Sequence, residues 1–183
     1  TSLGTTQINA TSDGISSSDR TLTVTDGFGI TIVPYMDSKY KYKIVNYGES
    51  AGFEDVNYDD SDFSMGNASF GLIKPGYCDI YSLKYIKTLW PEYTDILLRK
   101  EFVLPAGVTN LKVYIAVDDD VQVFINGHDV SNGTQTHEMC AEWDYFEFPV
   151  DNSILKTGTN LLAVRGKDHG GVNFLDTKIT ADY

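Results

Sequence analysis

The sequence predicts an all-β protein built as an antiparallel β-sandwich, on the strength of three observations. Residues 94–130 (TDILLRKEFVLPAGVTNLKVYIAVDDDVQVFINGHDV) alternate strand-like runs with tight turns at 105–107, 118–120 and 126–127. Turn signals recur along the rest of the chain about every 8 to 15 residues, as they do in β-sandwiches. No long hydrophobic period of 3.6 residues occurs, so the crossover helices that a parallel sheet needs are missing.

The elements follow in order along the chain. The first 20 residues are rich in Thr, Ser, Gly, Asn and Asp, which predicts a linker or loosely ordered N-terminal arm before a single β-sandwich domain over 21–183. Short strand-like runs then flank a turn at Gly27-Phe28-Gly29, and residues 46–80 are dominated by loops. Strands are predicted at 21–25, 30–33, 39–45, 96–103, 110–117, 121–126, 144–150, 160–166 and 174–180, with a short helical piece at 152–156.

The composition is that of a folded, acidic protein. The chain has 183 residues, of which 42% are hydrophobic and 13% aromatic, and this is enough to bury a core. Its net charge of −12 argues against nucleic acid and anionic membranes as partners, and it leaves room for a bound cation. No apolar run approaches the roughly 20 residues that a membrane helix needs. The chain starts at Thr1 rather than Met, as expected of a processed or excised piece.

Two cysteines, Cys78 and Cys140, lie far apart in the sequence and form no CxxC motif, so a zinc site or a redox pair is not expected. Free thiols are favoured over a disulfide, because the predicted core is large enough to be stable without a covalent link. Three N-x-S/T triplets, at Asn9, Asn67 and Asn132, matter only if the source organism glycosylates its proteins.

Three segments carry a resemblance to a known family: LLRKEFVLPAG, VYIAVDDDVQVFINGHDV and LKTGTNLLAVRGKDHGGVNFLDTKI. Together they resemble the galactose-binding-like domain, a jelly-roll β-sandwich that accompanies many glycoside hydrolases and also occurs as a lectin or carbohydrate-binding domain. The resemblance covers about residues 38–183 and includes FSMGNASFG and TLWPEYTDILLRK upstream of the core strands. It implies the fold more firmly than the ligand, because sugar binders, protein binders and structural modules share this framework.

A calcium ion is one cofactor that the resemblance implies. Five carboxylates fall within residues 54–62, and hard cations prefer several oxygen ligands. An EF-hand is excluded because Met65 stands where that loop requires glycine. In galactose-binding-like domains a structural calcium is held by oxygens of an early loop and by an acid of the last strand, which implies Glu54, Asp60 and Asp176 here. The alternative is a solvated acidic loop without a metal.

No catalytic motif is complete. His137-Glu138 begins an HExxH pattern, but Ala141 replaces its second histidine; no dinucleotide, phosphate-loop or nucleophile-elbow motif occurs. Acidic residues are abundant, so a glycosidase carboxylate pair stays open from the sequence, although we expect no enzyme activity.

Aromatic residues in the predicted loops favour a sugar site, because sugar rings stack on Trp and Tyr while their hydroxyls need fixed polar partners. One pair precedes a core strand, a second pair ends the loop 127–143, and polar residues fill a glycine-containing loop at 167–173. The alternative for both tryptophans is that they are buried and anchor loops. The predicted ligand-binding residues are Trp90, Tyr93, Trp143, Tyr145, Asp168, His169 and Asn173.

These observations predict a non-catalytic carbohydrate-binding module of an extracellular or cell-surface protein. The expected partner is a glycan or polysaccharide, with neighbouring domains of a larger protein and with no membrane insertion. Two alternatives stay open. One is a structural or adhesion module of a surface or virion protein that has no sugar site. The other is an accessory domain of a glycoside hydrolase.

Overall fold

The structure is a computed structural model that describes residues 29–183, together with the backbone of four short strands further upstream. These four are β1 (Thr6–Ile8), β2 (Thr11–Ser12), β3 (Ile15–Ser16) and β4 (Arg20–Leu22). β1 pairs with β4 and β2 with β3, in both cases antiparallel. The rest of the predicted arm over 1–20, most of the turn at 27–29 and the Asn9 triplet lie outside the described residues.

The strands predicted from 30–33 onward are found to within a few residues, and the predicted helical piece is a single 3-10 turn at Asn152–Ile154. Five short strands, at 64–66, 70–71, 88–89, 128–129 and 135–136, were not predicted. The strands are β5 (Gly29–Val33), β6 (Tyr40–Val45), β7 (Ser64–Gly66), β8 (Phe70–Gly71), β9 (Thr88–Leu89), β10 (Asp95–Leu104), β11 (Thr109–Asp118), β12 (Asp120–Ile125), β13 (His128–Asp129), β14 (Gln135–Thr136), β15 (Phe146–Pro149), β16 (Gly158–Lys167) and β17 (Phe174–Asp182).

The strands from β5 onward form two sheets. Sheet 1 has the order β13-β12-β16-β10-β6-β7, with β14 also paired to β12. Sheet 2 has the order β15-β11-β17-β8-β9, with β5 also paired to β17. All of these pairs are antiparallel except β8 with β9. Within residues 29–183 no α-helix occurs, and no helix could span a membrane. The predicted antiparallel β-sandwich is therefore confirmed.

The main core lies between the sheets and follows the two-residue alternation of strands. Ile96 and Leu98 of β10 and Val164 of β16 face Ile115 of β11 and Ile179 of β17 across the interior. A turn at Asn126-Gly127 connects β12 with β13, and both residues have positive φ, as its sequence predicts.

Both sheets are also covered on their outer faces by segments that connect strands. Residues 46–63 place Phe53 and Phe63 over Leu97 and Ala163 of sheet 1. On sheet 2, residues 72–87 and 137–145 form a separate apolar cluster of Ile80, Tyr81, Ile86, Ala116, Ala141, Val172 and Phe174. The covering of sheet 1 by residues 46–63 explains why the first five residues of β10, from Asp95 to Arg99, are all buried instead of alternating.

Cys78 and Cys140 form a disulfide, so the expectation of free thiols is wrong. Their Cα atoms lie 6.2 Å apart although 62 positions separate them in the sequence. Both cysteines belong to the segments that cover sheet 2, and folding over the same face brings them together. That proximity depends on the tertiary structure, which the spacing of two lone cysteines does not reveal.

Candidate functional site

The predicted site residues fall in two places, and the first is one end of the sandwich, here called the loop end. There β10 and β12 begin opposite the end of β16, because Asp95 and Asp120 both pair with Lys167. The loop before β10 meets the loop after β16: the Tyr93 amide donates to Asp168 Oδ2 at 2.6 Å, and the Asp168 amide donates to the carbonyl of Thr94 at 3.1 Å. Tyr93 and Asp168 are therefore direct neighbours.

Trp90 lies behind this loop in the main core and is fully buried. Its indole N–H donates to Thr94 Oγ1 at 3.1 Å, which fixes the ring beneath the loop. Trp90 thus has no exposed face on which a sugar could stack. It is buried and anchors the loop, which is the alternative that the sequence left open for it. Tyr93, by contrast, is 63% exposed and lies so close to Gly170 that a Cβ there would overlap its ring.

The loop end collects buried carboxylates. The hydroxyl of Tyr81 donates to Asp118 at 2.5 Å, the His169 amide donates to Asp119 at 2.6 Å, and His169 Nε2 lies 3.0 Å from Asp120. Burial raises the pKa of Asp118 and of Asp168 above the ordinary range for carboxyl groups. These carboxylates already accept hydrogen bonds from other parts of the chain.

Some buried polar atoms at the loop end are less well satisfied. Oδ1 of Asp95, Oδ1 of Asp168 and both amide atoms of Asn173 have no hydrogen-bond partner among residues 29–183. Asp168 and Asn173, both predicted as ligand contacts, are fully buried, whereas His169 is partly exposed. The loop end therefore offers outside molecules mainly Tyr93 and His169.

The second place is the outer face of sheet 2, where Trp143 is 37% exposed. Its ring centroid lies 4.5 Å from that of Tyr35, 5.8 Å from that of Tyr85 and 5.7 Å from that of Phe174. Beside it is an open groove of about 420 Å³, here called the outer-face groove. The groove is lined by Cys78, Asp79, Ile80, Tyr85, Cys140, Ala141, Glu142 and Trp143.

A polar network fixes the segment that carries Trp143. The hydroxyl of Tyr35 donates to Asp144 Oδ1 at 2.9 Å and accepts from the Asp144 amide at 3.0 Å. Lys178 of β17 forms an ion pair with the same carboxylate at 2.5 Å. Tyr145 does not line the groove; it stacks on His137 with ring centroids 3.7 Å apart. The sequence prediction missed Tyr35 and Tyr85, although both are aromatic residues in loops, the signal that identified Trp143.

The predicted calcium ligands are not brought together. Asp60 pairs with Lys41 at 2.6 Å and with Arg99 at 2.8 Å. Asp176 is buried in β17, where it accepts from Ser69 Oγ and from two backbone amides. Over residues 29–183, no three acidic, histidine or cysteine side chains, Glu54 included, are grouped so that they could hold a metal ion. Calcium binding stays a prediction from the sequence.

Neither a protein-family model nor a curated protein matches this sequence. Solved structures do match its fold. β-Glucuronidase 2 of Bacteroides uniformis, bound to cyclophellitol-6-carboxylate aziridine, superposes with a TM-score of 0.58 at 19% identity, over 84% of this chain and 18% of that one. A glycosyl hydrolase family 2 member from Bacteroides cellulosilyticus gives 0.51 at 18% identity, over 80% and 20%.

A β-glucuronidase of Bifidobacterium dentium, complexed with coumarin-3-O-glucuronide, gives a TM-score of 0.51 at 20% identity, over 79% of this chain and 21% of that one. This chain therefore spans about a fifth of the length of the glycosidases that it matches. Identities this low support a likeness of fold alone, and the chain shares its β-sandwich fold with one part of these much longer glycosidases.

Proposed function

We propose that this chain is a non-catalytic accessory domain of a glycoside hydrolase and that it contacts carbohydrate, as galactose-binding-like domains do. The observation that carries the proposal is the fold shared over about 80% of this chain with a fifth of several glycosidases. Of the interpretations that the sequence left open, the accessory domain fits this coverage best, because every glycosidase cited above is about four to five times as long as this chain.

The carboxylates of the loop end support a non-catalytic role. Glycoside hydrolysis uses two carboxyl groups that flank the scissile bond within an accessible cleft. Asp118 and Asp168 are instead buried, and Asp119 and Asp120 accept hydrogen bonds from the adjoining loops. These acids hold loops in place, and the cavity that Asp118 and Asp119 line has only about 150 Å³, below the ~300–1,000 Å³ of small-molecule sites.

The disulfide supports maturation in an oxidising compartment. Structural disulfides form and persist outside the cytosol, in secreted and surface proteins. The link between Cys78 and Cys140 therefore favours an extracellular or cell-surface location for the parent protein. The partly exposed Trp143 favours contact with carbohydrate there, because an exposed indole ring suits the apolar face of a sugar.

Two measurements test the proposal. The purified chain should release no product from a panel of para-nitrophenyl glycosides that includes the β-glucuronide. In an extract of the source organism, an antibody against the chain should detect a polypeptide much larger than 20.3 kDa that comigrates with glycosidase activity on a native activity gel. Turnover by the isolated chain, or detection solely of a species of its own mass without that activity, would overturn it.

A further inference from the structure

We propose that the outer-face groove binds a neutral sugar residue of a glycan chain, with Trp143 and Tyr85 as aromatic walls and Asp79 and Glu142 as hydroxyl acceptors. This inference rests on the proposed contact with carbohydrate and names its place and its chemical class. The groove has about 420 Å³, within the ~300–1,000 Å³ of small-molecule sites.

The aromatic wall is held rigidly. Trp143 packs on Tyr35 and Phe174, while 37% of the residue stays exposed and the residue lines the groove. The ion pair between Lys178 and Asp144 fixes the position next to the tryptophan. A ring that is already immobilised loses little conformational freedom when a ligand stacks on it, and this matters for sugars because their hydroxyls gain little by exchanging water for protein partners.

The floor of the groove is fixed as well. The disulfide joins the two segments that form it, and Ile80 and Ala141 are buried beneath the opening. The Ala141 amide donates to the hydroxyl of Tyr81 at 3.1 Å, and that hydroxyl donates to Asp118. The groove is therefore a preformed depression, since its floor is tied both covalently and by hydrogen bonds to sheet 2.

The charges at the rim select the class of sugar. Asp79 and Glu142 are exposed, and within residues 29–183 neither carboxylate has a hydrogen-bond or ion-pair partner. Lys84, with Nζ 4.7 Å from the ring centroid of Tyr85, is the basic side chain near Asp79, with which it interacts electrostatically. Two acids against one base, on a chain of net charge −12, favour uncharged hydroxyl-bearing rings and disfavour uronates and sulfated sugars.

A second depression, of about 310 Å³, lies by sheet 1 and includes Lys41, Arg99 and Lys100. Three of its four cations are already engaged by carboxylates, Lys41 and Arg99 by Asp60 and Lys100 by Asp37, and Lys39 is the fourth. It also has no tryptophan or tyrosine in its lining on which a sugar ring could stack, whereas the outer-face groove has Trp143 and Tyr85.

Isothermal titration of the intact chain tests the proposal, with cello-, xylo-, manno- and β-1,4-galacto-hexaose as neutral probes and the hexamer of galacturonate as the acidic probe. We expect at least one neutral probe to bind and the uronate to bind at least tenfold more weakly. Trp143→Ala should weaken binding of the neutral probe at least tenfold. Tyr77→Ala is the matched control, because Tyr77 is 62% exposed on the same covering segment but does not line the groove.

A second variant keeps the test decisive if Trp143→Ala does not fold. The Asp79→Asn/Glu142→Gln pair changes exposed side chains without altering their size, and it should narrow the difference between neutral and acidic probes. Binding of the uronate as tight as that of the neutral sugars, or unchanged binding in Trp143→Ala, would overturn the proposal. Silence towards every probe would overturn it as well. None of these results alters the comigration test of the accessory-domain proposal.

Discussion

Arg99 carries a permanent positive charge, yet its side chain is 5% exposed. Its Nε donates to Asp60 Oδ2 at 2.8 Å, and Nη1 donates to the carbonyls of Phe53 and Asp55. The guanidinium also lies 5.7 Å from the ring centroid of Tyr58. A buried cation is tolerated when its fork of donors is satisfied in this way, and the same contacts hold residues 53–60 over sheet 1.

Replacing Arg99 with Ala should lower the free energy of unfolding by about 3 kcal/mol, because it leaves two carbonyls and part of a carboxylate without their donor. Arg99→Lys should recover a minor part of this loss, since a single ammonium cannot reproduce the fork. Urea unfolding measures both, and limited proteolysis should show cleavage within 46–63. Lys43→Ala, which removes an exposed pair with Asp62 on the same face, is the control and should change little. Equal losses for Arg99→Ala and Lys43→Ala would contradict this account.

The two tryptophans show where prediction of the site from single residues ends. Trp90 and Trp143 both lie in predicted loops, although Leu89 and Pro91 flank the first and Glu142 and Asp144 flank the second. Their burial is decided by distant contacts: Trp90 lies against Gly166 of β16, and Trp143 lies against Tyr35 and Phe174. The sequence therefore predicts aromatic candidates for a binding surface, while the choice of the exposed ring requires the fold.

Strands were predictable where the chain alternates and turns are marked. The Asn126-Gly127 turn and the acidic residues 118–120 delimit β11 and β12 without reference to the rest of the molecule. The covering segments were not predictable, because they are defined by contacts such as that of Arg99 with Asp60, 39 positions apart. A loop has no hydrophobic periodicity from which the sheet face that it covers could be predicted.

The disulfide should contribute much of the stability of the covering segments on sheet 2. Cys78→Ser/Cys140→Ser should lower the free energy of unfolding by up to about 4 kcal/mol, as the chain-entropy model gives for a loop of this length. Thiol labelling of the unfolded protein without reductant should find no reactive thiol. Two labelled cysteines per chain under those conditions would show that the link does not form in the isolated protein.

Glycine at position 71 is required by the close packing of β8 on β17. A Cβ there would lie 2.5 Å from the carbonyl oxygen of Asn173 and 3.2 Å from Ile86. Gly71→Ala should therefore lower the free energy of unfolding by about 1–3 kcal/mol, as expected for overpacking. Gly29→Ala, in β5 of the same sheet, has open space around its Cβ and should leave stability nearly unchanged. Thermal unfolding of the two variants side by side decides the matter; similar melting temperatures would contradict the predicted clash.

Stability should depend on pH in the direction set by buried acids. Burial raises the pKa of Asp95 and of Asp118, and it raises that of Asp176 to about 7. Unfolded aspartates release their proton near pH 3.9, whereas these buried groups keep the proton to a higher pH in the folded state. The raised pKa values therefore stabilise the folded state fully below about pH 4, and this stabilising contribution is lost as the pH rises towards 7.

Urea midpoints should accordingly be higher at pH 5 than at pH 8. Asp176→Asn should remove up to one proton from the pH dependence. The slope of the free energy of unfolding against pH should therefore become shallower by up to about 1.4 kcal/mol per pH unit between pH 4 and 7. High salt separates this effect from general repulsion among the exposed acids, because salt screens surface charges far more than buried ones. A variant whose profile parallels that of the parent would show that Asp176 does not carry the dependence.

The covering segments of the two sheets are fastened at few points, by the fork of Arg99 on one side and by the disulfide on the other. Residues 46–63 connect β6 with β7, and residues 72–87 connect β8 with β9. Neither segment takes part in the pairing of the strands that it connects. Their length and content can change while the strand register is kept. The two sheets thus form a framework on which the covering segments can be exchanged. A segment grafted between Cys78 and β9 that keeps the buried residues Ile80, Tyr81 and Ile86 would give the same framework a new specificity and leave the core between the sheets unchanged.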